Sequence, residues 1–187
     1  MKITKTGIEG LLIIEPDIFK DDRGYFFESW SRRAFEQQVG KVDFVQDNES
    51  SSCFGVLRGL HFQKPPCAQS KLVRVIEGSV LDVAVDIRKG SPTYGKWEAV
   101  ELTADNHLQF FLPRGMAHGF AVLSDKAVFQ YKCDNFYAPQ SEGAIAWNDP
   151  DLAIDWRIPA DKVILSEKDR HHGSFKDLGT IFNYPAK

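Results

Sequence analysis

Hydrophobic and polar positions alternate with period two through most of the chain, and the alternation breaks at clusters of Gly, Pro, Asn and Asp. Half-buried strands separated by turns read this way. The pattern predicts strands at Leu11–Ile14, Tyr25–Trp30, Val42–Asp47, Gly55–Phe62, Lys71–Glu77, Val80–Arg88, Lys96–Leu102, Gln109–Leu112, Phe120–Leu123 and Ala127–Cys133. Asp21–Gly24 forms a turn, Glu77-Gly78-Ser79 and Ser124-Asp125-Lys126 read as hairpin turns, and Gly90-Ser91-Pro92 as a longer loop. One helix is expected in the first half, Arg32–Val39, with Ser31 as its N-cap and Gly40 as its stop. From Pro139 to Lys187 the pattern gives loops, a short helix around Ser166–His171 and a frayed end. Many short strands without alternating helices predict a mainly β sandwich or small barrel.

The strand Val80–Asp86 separates its faces cleanly. Its odd positions are branched aliphatics, whereas Asp82, Ala84 and Asp86 share the other face. If the aliphatic face packs on a second sheet, the acids face either solvent or the polar interior of a barrel mouth.

Length and composition narrow this to one globular domain, residues 1–187, since 43% hydrophobic and 12% aromatic residues supply an ample core. A net charge of −3 with interspersed signs and no basic block argues against nucleic acid or a membrane surface as partner. The N-terminus lacks an apolar signal core, and no apolar run nears the ~20 residues of a membrane span. Cys53, Cys67 and Cys133 form no CxxC pair, which fits reduced thiols in a cytosolic protein. Cys133 reads better as a small buried thiol than as a nucleophile.

Candidate chemistry concentrates in Gly55–Gln63, where Arg58 and His61 interrupt an apolar, glycine-punctuated run. These two residues have opposite parity, so a straight strand aims them at opposite faces; Gly59 must supply a bulge if they converge. His61 and Lys71 flank the mouth of the loop Gln63–Ser70. With Asp125 at the centre of a hairpin, Gly119 falls opposite Tyr131, which makes Tyr131 and His118 neighbours. Each of these residues also has a plain reading: a structural histidine, an edge lysine, a core tyrosine.

The spacings Gly55-x5-His61 and Pro113-x-Gly115-x2-His118 resemble the two halves of the cupin motif. Metal cupins take two histidines and a glutamate from the first half and one histidine from the second. Here Gln63 stands for the second histidine and Cys67-Ala68 occupy the glutamate's place, so no metal is expected. The resemblance implies a double-stranded β-helix, an antiparallel jelly roll with a few short helices.

A more specific resemblance spans almost the whole chain. Phe19–Glu28, Gly55–Gln63, Lys71, Pro113–Phe120, Tyr131–Pro139 and Leu165–Asp169 resemble, in order and spacing, the dTDP-4-dehydrorhamnose 3,5-epimerase family. That resemblance implies a cytoplasmic homodimer needing neither nicotinamide nor metal. It would epimerise carbons 3 and 5 of dTDP-4-dehydro-6-deoxy-D-glucose to give dTDP-4-dehydro-L-rhamnose. It implies His61 as base, oriented by Asp169, Tyr131 as proton donor on the opposite face, and Lys71 at the enolate oxygen. Arg23, Arg58 and Lys168 would meet the diphosphate, and Tyr137 would stack on thymine. Glu28, Gln46, Asp47, Asn48, His118 and Glu142 would complete the substrate contacts, with N-terminal segments entering the partner's site. Single-carbon epimerases and keto-group isomerases share the His-Tyr-Asp set, and a non-catalytic cupin that binds a sugar nucleotide would need only the cations.

Overall fold

Two antiparallel sheets face each other across a common interior. The structure is a computed structural model and describes residues 1–185. In chain order it contains β1 (Lys2–Lys5), β2 (Leu12–Glu15), β3 (Phe19–Asp21), β4 (Gly24–Phe26), α1 (Arg32–Gln38), β5 (Gln46–Cys53), β6 (Leu57–Gln63) and β7 (Lys71–Glu77). There follow β8 (Ser79–Asp86), β9 (Arg88–Lys89), β10 (Trp97–Thr103), β11 (Gln109–Leu112), β12 (Met116–Val122), β13 (Lys126–Cys133), β14 (Glu142–Ala144) and β15 (Phe182–Asn183). One sheet runs β1-β2-β11-β7-β13-β5 and the other β10-β8-β12-β6-β14. This is the mainly β, jelly-roll architecture that the cupin half-motifs imply. No helix among the described residues is long and apolar enough to cross a membrane.

Three apolar clusters hold the layers together. Val73, Val75, Val80, Phe110, Phe120 and Phe129 fill the space between the sheets. Phe35 of α1 packs with Ile14, Leu72 and Phe111 on the outer face of the six-stranded sheet. The outer face of the five-stranded sheet carries Leu81, Val83 and Val85, covered by Ile145, Leu152 and Trp156 from the C-terminal segment. The aliphatic face of β8 therefore packs on that segment and not on a second sheet. Its acids point inward instead, where Asp82 and Asp86 are fully buried.

Neither predicted hairpin forms. β7 pairs with β11 and β13, while β8 pairs with β10 and β12, so Glu77–Ser79 is an arch between sheets. The link from β12 to β13 is a second arch, and Tyr131 pairs with Asn48 and Val73, not with Gly119. Small polar turn residues suit either connection, so turn chemistry alone cannot separate them. The two arches lock together: Ser79 N–H donates to Ser124 Oγ at 2.8 Å, and Ser124 Oγ donates to the Lys126 carbonyl at 2.7 Å. Gly78 permits the approach, for a Cβ there would lie 2.0 Å from that carbonyl.

Other departures have local causes. The expected strand Val42–Asp47 lies instead at Gln46–Cys53, and Tyr25–Trp30 contributes only the short β4, paired with β3. The β12 strand begins at Met116, four residues before the expected start. Ser31 occupies the N-cap position of α1 but its side chain makes no capping bond. The short tail helix is a 3-10 turn at Lys168–His171. The frayed end expected at Lys187 lies outside the described residues.

The bend expected at Gly59 is present. His118 pairs with His61 and Phe120 with Arg58, so Gly59 and Leu60 together face Gly119 alone. Gly59 has φ 133°, and a Cβ on it would sit 2.5 Å from the Gly119 Cα. A Gly59→Ala protein should lose roughly 3 kcal/mol or more, since neither backbone can give way. A urea denaturation midpoint equal to wild type would show that the bulge tolerates a side chain.

Candidate active site

The bulge turns both Arg58 and His61 inward, onto a cavity of about 770 Å³ that Lys71, His118, Tyr131 and Asp169 also line. β6 and β12 supply His61 and His118, β7 and β13 supply Lys71 and Tyr131 from the facing sheet, and the tail supplies Asp169. A second cavity of about 310 Å³ shares His61, Lys71, Tyr131 and Asn48, and adds Gln46, Tyr137 and Glu142. Most of the residues singled out in the sequence therefore meet in one cleft.

Asp169 is 3% exposed. Its Oδ1 meets His61 Nε2 at 2.5 Å, and Ser166 Oγ donates to its Oδ2 at 2.7 Å. His172 Nε2 also reaches Oδ1, at 3.2 Å. Burial works to raise the Asp169 pKa, but the hydrogen bonds from His61, Ser166 and His172 outweigh it and bring the value to about 2. The carboxylate stays charged, and His61 Nδ1 has no hydrogen-bond partner among the described residues. Because the folded pKa lies below the unfolded value of 3.8, the resulting stability is complete above pH 4. It is lost as pH falls toward 2 and amounts to at most about 2 kcal/mol. The stability difference between wild type and Asp169→Asn should therefore shrink across that window; a difference that stays constant from pH 5 to pH 2 would contradict it.

Lys71 enters the cavity without a hydrogen bond or ion pair among the described residues, its Nζ 5.7 Å from the Tyr131 ring centroid. Burial pushes its pKa down, and the nearby Cys133, Asp82 and Glu142 oppose that. Burial likewise pushes the Tyr131 phenol up, keeping it protonated, with Arg58 working the other way. Asp82 and His118 form a second pair, with Nε2 at 2.9 and 3.0 Å from the two carboxylate oxygens. Burial lowers His118 and raises Asp82, while each partner's charge and the hydrogen bond between them work against that. The Cys133 thiol is pushed up to about 11 by burial, which removes it as a nucleophile.

The polar contacts of the cleft are ordered. Arg58 Nη2 donates to Ser52 Oγ at 3.2 Å and has no carboxylate partner among the described residues, which leaves its charge available to an anion. Gln46 Nε2 donates to Asn48 Oδ1 at 2.9 Å, and Tyr137 N–H donates to Gln46 Oε1 at 3.1 Å. Lys168 pairs with Glu142 at the rim, 3.3 Å apart, and Asp47 is held by Lys132 at 2.9 Å. Arg23 and Glu28 are not brought to this cleft. Arg23 is bound to Asp21 on the exposed β3–β4 turn, and Glu28 lines a separate cavity beside α1. The three cations Arg23, Arg58 and Lys168 thus do not converge within one chain.

Gln63, at the cupin histidine position, lines the second cavity but spends its amide on backbone. It donates to the Cys67 and Phe136 carbonyls and accepts from Ala138 N–H at 2.7 Å. Among the described residues, the set with metal-donor spacing is His61, Asp169 and His172. Their 2.5 Å contact is too short to bracket an ion at ~2.1 Å from each donor, so the arrangement suits a shared proton. Sequence reasoning overlooks Ser52, Ser166 and His172, and treats Asp82 only as a strand-face acid. The alternation Gln46-x-Asn48-x-Ser50-x-Ser52 was the available signal, a period-two pattern written in polar residues.

An anion-ready arginine, a histidine–carboxylate base, a protonated phenol and a lysine ammonium around one cavity can remove and return a proton beside a carbonyl. Comparison with known proteins agrees. The family model described as dTDP-4-dehydrorhamnose 3,5-epimerase matches residues 5–177. A Shigella flexneri dTDP-4-dehydrorhamnose 3,5-epimerase is 53% identical over 95% of this chain and 97% of its own. The crystal structure of the Elizabethkingia anophelis enzyme of that name superposes with TM-score 0.92 at 56% identity, covering 95% and 98% of the two chains. A Legionella pneumophila dTDP-6-deoxy-D-glucose-3,5-epimerase in complex with dTDP-4-keto-L-rhamnose has TM-score 0.95 at 48% identity, covering 99% of each chain. The chain belongs to the dTDP-4-dehydrorhamnose 3,5-epimerase family.

Proposed function

We propose that this protein is an isomerase that converts dTDP-4-dehydro-6-deoxy-D-glucose into dTDP-4-dehydro-L-rhamnose. The observation that carries the reading is the His61–Asp169 pair, which shares its cavity with Tyr131 and Lys71. The 4-keto group acidifies the protons on carbons 3 and 5. His61 Nδ1 takes one of them, while Asp169 holds the ring through Nε2 and stabilises the imidazolium. The electron pair of the broken C–H bond moves into an enolate, whose oxygen Lys71 meets as a point cation, worth roughly 10²–10³-fold. Tyr131 returns a proton to the other face, which inverts the carbon.

Arg58 would bind the diphosphate, with Lys168 near the rim, and Tyr137 would stack on thymine. Gln46, Asn48, Glu142 and His118 would hold the sugar and nucleoside, with Asp47 beside them. Arg23 and Glu28 would serve the second subunit of a homodimer. In support, Phe19, Tyr25 and Phe26 of the β3–β4 unit are 65%, 58% and 69% exposed, apolar area that a partner would cover. Three unpaired thiols, Cys53, Cys67 and Cys133, support a cytoplasmic enzyme.

The test is incubation with the 4-keto substrate in heavy water, followed by proton NMR. Deuterium at carbons 3 and 5 with appearance of the L-rhamno ketone is expected. Wash-in at one carbon alone would make it a mono-epimerase, and none at all would leave a binding protein.

A further inference from the structure

The reaction proposed above assigns no task to His172, yet this residue touches both members of the base pair. Its Nε2 lies 3.2 Å from Asp169 Oδ1, the same oxygen that His61 uses. Its ring stands edge-on to that of His61, with centroids 5.6 Å apart and an interplanar angle of 89°. The side chain is 19% exposed, so it sits at the rim of the cleft between the buried carboxylate and solvent.

We propose that His172 is a positioning residue that divides the Asp169 carboxylate with His61, and thereby sets both the plane and the basicity of the base. A carboxylate oxygen that accepts one imidazole N–H is a weaker acceptor for a second, because the first donor draws on the same charge. His172 therefore limits how far Asp169 favours the protonated form of His61. The edge-on contact fixes the ring about its Cβ–Cγ bond, which keeps Nδ1 aimed into the cavity.

The other groups facing His61 are Asp169 from the 3-10 turn, His118 from β12, Lys71 from β7, Tyr131 from β13, Glu142 from β14 and Arg58 on its own strand. None of these contacts His172 through a hydrogen bond except Asp169, so a change at His172 reaches His61 through the shared oxygen.

This rests on the epimerase reading for its functional meaning, but not for its test. The His61 imidazole proton would be assigned by its absence in His61→Ala and titrated by NMR in the free protein. His172→Phe keeps an edge-on ring and loses the donor; the His61 midpoint should move up by about one pH unit, one charge-assisted hydrogen bond's worth. His172→Gln, whose amide nitrogen reaches the position of Nε2, should return most of that shift. In the active enzyme the acid limb of kcat/KM should follow the same order. Equal midpoints in wild type and His172→Phe, or equal shifts in the Phe and Gln variants, would overturn the proposal. A shifted midpoint in a protein without epimerase activity would uphold it and sink the epimerase reading instead.

Discussion

Replacing His61 with alanine should erase deuterium wash-in at both carbons 3 and 5 and lower kcat/KM by ~10⁴-fold, the upper range for a lost general base. No neighbour is placed to substitute. His118 is committed to Asp82 and His172 to Asp169, while Lys71 is wanted as a cation and Arg58 cannot release a proton in this range. Because His61 is half-buried at the cavity wall and no cluster of the core depends on it, the variant should fold. Heavy-water NMR on a protein with wild-type circular dichroism is the measurement. A His61→Ala enzyme that still exchanges either proton at a rate near wild type would remove the mechanism altogether.

Tyr131→Phe should split two rates that are normally joined. The ring would remain, with its contacts to Phe129 and its place beneath the Lys71 ammonium, and only the hydroxyl would go. His61 could still remove a proton and return a deuteron to the same face, so exchange without inversion should persist. Inversion needs a donor on the other face and should fall by roughly 10²–10⁴-fold. Following wash-in and product formation in one NMR experiment gives the ratio directly. Equal losses in both would mean that Tyr131 serves binding, and no loss in either would assign the donor elsewhere.

Much of the fold was legible because burial and hydropathy coincide along it. β7 and β11 fall where the alternation puts them, since their inward residues are apolar or, at Lys71, stand at a strand end. β5 was misplaced because its inward residues, Gln46, Asn48, Ser50 and Ser52, form a cavity wall instead of core, so polarity rather than hydrophobicity marks its inner face. The arches were misread because strand pairing is a long-range property that a three-residue turn does not encode. Parity sets Arg58 and His61 on opposite faces of a straight strand. The sequence therefore names Gly59 as the place where a bulge must lie if they converge, a local steric argument that needs no knowledge of topology. Asp169 and His172 were the hardest to interpret from pattern. The significance of both depends on a segment with little regular structure beyond 3-10 turns, which is placed by apolar side chains such as Leu152 and Trp156.

That placement has a consequence for how the enzyme comes to life. His61 and its carboxylate are 108 positions apart, one on a barrel strand and the other on the segment that wraps the barrel's outside. The barrel has an interior cluster of its own, and the segment packs on the outer face of one of its sheets. Catalytic competence should therefore depend on the docking of that segment, so that a chain nicked shortly before Ser166 keeps the cavity walls that the strands supply while turning nothing over. Turnover, in this fold, doubles as a report that the final strap has been fastened.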